Sequence, residues 1–200
     1  MVSLIIVSEN GLNNTKKINN LFKNIYLFNI NMTDYSNTDS YVTDIMKGKL
    51  NEVKLYDSSI INEVGRLIGI GYDLTPIMSA LLFLENDKGT EILQYLLNTP
   101  SVNVSKVVSH NSSHSETPNE IHTVFHMICS DLNTPTNICE MILEHSSVDI
   151  NVLNFLDHNN YRPLDYADKY NPNIVQLLEN KGALRYKQVD PKFTPNYKFA

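Results

Sequence analysis

Basic charge is scarce in this chain: 16 Lys and Arg side chains stand against 22 Asp and Glu over 200 residues, a net charge of −6. Proteins hold a phosphate backbone by releasing its counterions to a basic surface, so this balance speaks against nucleic acid as a partner, and against other strongly anionic partners. Long apolar runs are missing too. The opening "MVSLIIVSENG" is shorter in its apolar part than a secretory h-region and has no basic residues before it. No later window approaches the ~20 apolar residues of a membrane span. The expected setting is the cytoplasm, with the nucleus as a second compartment. There, Cys129 and Cys139, the chain's two cysteines, are reduced thiols and not a disulfide framework. Asn13, Asn31, Asn103 and Asn111 each open an N-x-S/T sequon, read here as chance matches in a chain with no secretory route.

Tryptophan is absent, and glycine and proline number only 7 and 8, while hydrophobic residues make up 42% and charged ones 19%. That composition excludes collagen-like and disordered classes and leaves one folded domain or one short repeat array. Signatures of catalysis are lacking as well. The chain has no G-x-S-x-G, no H-E-x-x-H and no phosphate-binding glycine loop, and its "GIG" at 69 to 71 is not part of a G-x-G-x-x-G.

What the chain does contain is a repeat. Three segments align: "LTPIMSALLFLENDKGTEILQYLLNTPSVNV" from Leu74, "HTVFHMICSDLNTPTNICEMILEHSSVDIN" from His122 and "YRPLDYADKYNPNIVQLLENKGA" from Tyr161. Each opens with Thr or Arg, then Pro or Val, then bulky residues, and closes on a second apolar stripe. The stripes are Ile92, Leu93, Leu96 and Leu97, then Ile138, Met141 and Ile142, then Ile174, Val175, Leu177 and Leu178. Spacings of three and four mark helices buried on one side.

These segments resemble the ankyrin repeat, a turn followed by a T-P-L-H-x-A helix and a second helix ending in G-A. "RPLDYA" and "IVQLLENKGA" carry the match in the third copy, with Asp157 and Asn160 at its turn; Thr123 and His126 carry it in the second, Thr75-Pro76 and Ala80 in the first. The copies depart in length, because the step from opening residue to second-helix Ile grows from Arg162–Ile174 to Thr123–Ile138 to Thr75–Ile92. The link "VSKVVSHNSSHSETPNE" at 104 to 120 is a further insertion. The resemblance implies an all-α fold, an ankyrin-like solenoid of stacked helix pairs with repeats at about 72–104, 120–151 and 157–183.

Residues 1 to 71 then form an N-terminal helical cap, in which terminal units turn a polar side outward. Within it, Ile18, Leu21, Phe22, Ile25 and Phe28 share one helical face, and "INMTDYSNTDS" at 30 to 40 reads as a loop. "DIMKGKLNEVKLYD" at 44 to 57 resembles the centre of a further repeat with Gly48 at its turn, and "SSIINEVGRLIGIG" at 58 to 71 reads as an amphipathic helix. Residues 186 to 200, with prolines among aromatics and lysines, form a tail.

One cluster invites a metal reading. "IHTVFHMIC" places His122 and His126 four apart with Cys129 beyond, after His110, His114 and Glu120. Two imidazoles at that spacing on one helix begin many zinc sites. Yet a structural zinc wants four ligands, and the paired close spacings that supply them are absent. The resemblance instead makes His126 a residue whose ring supports the neighbouring turn, and puts His122 before the helix. The favoured expectation is therefore no metal, no cofactor and no catalysis. A metal-dependent enzyme or zinc protein using the 110–126 histidines is the competing one.

Function then rests on surface. The resemblance implies a monomeric scaffold that holds another protein on its concave face. The positions assigned there are Asp73, Ser79, Met127, Asp131, Asn159, Tyr161, Tyr166 and Lys169, with Leu74, Leu82 and His122 beside them. Tyrosines suit the role because they bury large area and still satisfy a hydroxyl.

Overall fold

Thr75, Thr123 and Arg162, the opening residues of the aligned segments, each stand one position before a helix: α3 (Pro76–Leu81), α5 (Val124–Ser130) and α8 (Pro163–Tyr170). A helix begins with amide N–H groups that lack intrahelical acceptors. Thr75 Oγ1 accepts from the amide of Met78 at 3.3 Å, and Thr123 Oγ1 from that of His126 at 3.4 Å. Arg162 cannot accept, and Asp165 Oδ2 instead reaches back to the Arg162 amide at 2.8 Å. Pro76 and Pro163 occupy the first helical position, where the missing N–H costs nothing. In this computed structural model, the residues described are 36–67, 72–84, 87–110 and 120–186.

The closing stripes form α4 (Asp87–Leu97), α6 (Thr136–Leu143), and a 3-10 turn (Pro172–Ile174) running into α9 (Val175–Asn180). Ahead of them lie α1 (Asn37–Met46) and α2 (Leu50–Val53); α7 (Ile150–Leu153) is a single turn after α6. Opening helices pack on one another in chain order, α1 on α3, α3 on α5 and α5 on α8, the last contact being the most extensive. Closing elements follow the same order where α2 meets α4 and where α6 meets the 172–174 turn. The described residues belong to one compact unit that starts at Asp34. They are mostly helical, and no helix among them is long and apolar enough to cross a membrane.

The all-α expectation needs correction at two places. Strands β1 (Gly65–Leu67) and β2 (Tyr72–Leu74) pair antiparallel, as do β3 (Val108–His110) and β4 (Glu120–His122). Each is a two-stranded hairpin, and β2 touches β3. Among its described residues, the stretch 58 to 71 therefore holds no α-helix. A 3-10 turn at Ser58–Ile60, capped by Asp57, gives way to a strand with Gly65 and Leu67 buried and Arg66 exposed, the period-2 pattern of an element with one side on a core. Gly65 shows why: a Cβ there would sit 2.6 Å from the Thr38 carbonyl oxygen, so only glycine lets the strand lie against α1. This hairpin also crosses the domain boundary drawn at 71/72 and ties α1 to the units that follow.

The loop drawn over 30 to 40 is corrected for its last residues, because α1 starts at Asn37 behind the cap of Ser36 Oγ on the Asp39 amide, 3.1 Å. Its first turn is polar, and its apolar side begins only at Tyr41, Val42 and Ile45. Gly48 does turn the chain between α1 and α2, at φ +67°, a left-handed conformation that suits glycine. The proposed helix around 18 to 28 and the tail beyond Tyr186 lie outside the described residues.

Leu96, Ile142 and Leu178, at matching points of the three closing stripes, are all buried to within 1% of full enclosure. Ile45, Ile77, Met78, Phe125 and Tyr166 fill the layer of opening helices. Ile142→Val, which removes one methylene from a site with no exposure, is expected to lower stability by about 1 kcal/mol. Chemical denaturation measures this, and an unchanged midpoint would place Ile142 at the surface.

Candidate functional site

The turn from Asp157 to Tyr161 is built around one carboxylate. Asp157 Oδ1 accepts from the amides of Asn159 and Tyr161, both at 2.9 Å; Oδ2 accepts from the Tyr166 hydroxyl at 2.5 Å and from Asn159 Nδ2 at 3.3 Å. The backbone closes the same turn, the Asp157 amide donating to the Tyr161 carbonyl at 3.0 Å. Asn160 completes it at φ +58°, in the left-handed region that Asn tolerates better than other side chains bearing a Cβ.

His126 joins this turn to the preceding helix. Its Nδ1 accepts from the Thr123 amide at 3.2 Å, while Nε2 lies 3.2 Å from the Tyr161 carbonyl oxygen. An amide can only donate and a carbonyl can only accept, so the two contacts require a neutral ring carrying its proton on Nε2. Burial pushes the imidazole down to about 4, against the opposing pull of the Asp157 charge and the Tyr161 carbonyl. The Tyr166 ring meets both His126, at 6.0 Å, and Tyr161, at 5.4 Å, edge to face.

His122 and His126 do not share a helix: His122 ends strand β4 and His126 is in α5, so the two are not one helical turn apart. Among the described residues no group of three or more His, Cys, Asp or Glu is placed to hold a metal ion. His110 ends strand β3, and His114 lies outside the described residues. Cys129 and Cys139 are free thiols, both buried, and burial pushes Cys139 up to about 12 and Cys129 well above its ordinary range. Reactive cysteines need the thiolate, which this environment opposes. Should His126 be the turn support described, His126→Ala lowers stability by about 2 kcal/mol, because the Thr123 amide loses its ring acceptor and the Tyr161 carbonyl loses one of its donors. Chelator then shifts neither thermal melt. A wild type that chelator destabilises beside an insensitive variant would move the assignment to a metal site.

Half of the surface positions assigned from the sequence are corrected. Ser79 and Tyr166 have no exposure, and Met127 and Tyr161 keep only 5% and 8%. α3 and α5 each have an opening helix on both sides, so Ser79 and Met127 point into the stack, and Tyr166 is covered by His126 of α5 and by its own turn. Ser79 Oγ turns back to the Thr75 carbonyl at 3.1 Å, and Tyr166 is spent on Asp157. Leu74 and His122 are buried as well.

Asp73, Asp131, Asn159 and Lys169 are half-exposed. Asp73 sits directly across the hairpin from Arg66 and takes its guanidinium in two contacts, 2.9 and 3.2 Å. Asp131 caps the chain leaving α5, through the Asn133 amide at 3.0 Å and the Thr134 hydroxyl at 2.9 Å. Asp73 and Asn159 thus belong to the turns that lead into opening helices, whereas Asp131 and Lys169 are at their far ends. With 7 and 8 residues in α5 and α8, the two rows are about 10 Å apart.

The sequence reading missed a series of polar side chains that bridge one helix pair to the next. Asn62 grips the backbone of Ser101 and Asn103, at 2.6 and 2.7 Å, and Asn154 grips that of Gly182 and Leu184, at 3.0 and 2.7 Å. His145 Nε2 lies 3.1 Å from the Leu97 carbonyl, and Asn171 Nδ2 donates to that of Asp131 at 3.0 Å. A side chain that both donates and accepts next to an irregular turn is the only signal that could have marked Asn62 and Asn154. Compared with family models, with curated proteins and with solved structures, the chain finds no match in any of the three.

Proposed function

We propose that the chain is an ankyrin-like solenoid and a noncatalytic scaffold that holds another protein. The observation that supports this reading is the order of packing, in which opening helices α1, α3, α5 and α8 stack in sequence. Such an array lays a row of side chains along a continuous face, and the identities along that row are free to suit a partner. Asp73, Asp131, Asn159 and Lys169 are the contact residues in this proposal; Ser79, Met127, Tyr161 and Tyr166 serve the stack. The protein acts as a monomer in the cytoplasm or nucleus, without a cofactor and with Cys129 and Cys139 reduced.

The test is affinity capture from extract of the producing cell, with the wild-type chain and the Asp73→Ala/Lys169→Ala variant immobilised in parallel. A specific protein retained by the wild type should bind the variant at least about tenfold more weakly, a loss of roughly 1.4 kcal/mol. Asp73→Ala also removes the two-contact Arg66 pair, so the stabilities of the two chains should differ by no more than about 1 kcal/mol, the range of such a pair near the surface. Equal retention by both chains, or no retained protein, overturns the assignment of that face.

A further inference from the structure

We draw no further inference here: the strongest candidate, the exposed apolar patch of Ile150, Leu184 and Tyr186 beside the end of the last helix pair, carries nothing because nothing among the described residues shows what covers it.

Discussion

Asp157→Ala is expected to destabilise the fold by about 4 kcal/mol, because two donors enclosed in the protein, the Tyr161 amide and the Tyr166 hydroxyl, lose their acceptor together. Asp157 is only 4% exposed, and its carboxylate accepts from Asn159, Tyr161 and Tyr166. Two control substitutions separate the roles of its oxygens. Asp157→Asn keeps one acceptor oxygen and turns the other into a donor facing the Tyr166 hydroxyl, so its cost should be about half as large. Tyr166→Phe removes the 2.5 Å bond but leaves the turn amides satisfied, for a cost of about 1 to 2 kcal/mol. Urea denaturation of the three variants gives the order directly. An Asp157→Ala cost below about 1 kcal/mol would mean that the turn is held by its backbone alone.

Acid should weaken the protein through His126 in a defined window. The ring is neutral in the fold, with its titration held near 4, whereas in the unfolded chain it takes up a proton around 6.5. Below 6.5 the unfolded state therefore binds one more proton than the folded state, and stability falls as pH drops, at about 1.4 kcal/mol per pH unit. The loss levels off near pH 4, where the folded ring protonates too, after a total of about 3 kcal/mol. Above 6.5 both states are neutral and this contribution does not change. To isolate the part due to His126, the quantity to measure is the difference between wild type and His126→Ala in denaturation free energy at pH 7, 6, 5 and 4.5. The wild type should lose its advantage over the variant step by step as pH falls. Parallel profiles would show that His126 binds its proton equally in both states, against the neutral ring that the Thr123 amide and the Tyr161 carbonyl require.

Periodicity alone located the helices that end each aligned segment, because a buried stripe repeats at intervals set by helix geometry: Ile92, Leu96, Ile142 and Leu178 are all enclosed. The starts of α3, α5 and α8 were legible for a local reason too, since a cap and a first-position proline act within four residues of chain. Gly48 was readable as a turn on the same basis. Decisions made across the stack were not legible. Whether Ser79, Met127 and Tyr166 face a partner or a neighbouring helix depends on what lies beside α3, α5 and α8, and packing put α5 and α8 together so closely that Tyr166 retains no exposure. The hairpins have the same origin. The apolar spacing of 58 to 71 reads as a helix, yet Gly65–Leu67 pairs as a strand with Tyr72–Leu74, and Gly65 lies so close to the Thr38 carbonyl that no Cβ fits. A sequence fixes what it encodes within a turn or two. The ring that joins the Asp157 turn to α5 and the asparagines that bridge successive pairs draw their strength from groups as far as 43 residues away, and only the folded chain brings those groups within hydrogen-bonding distance.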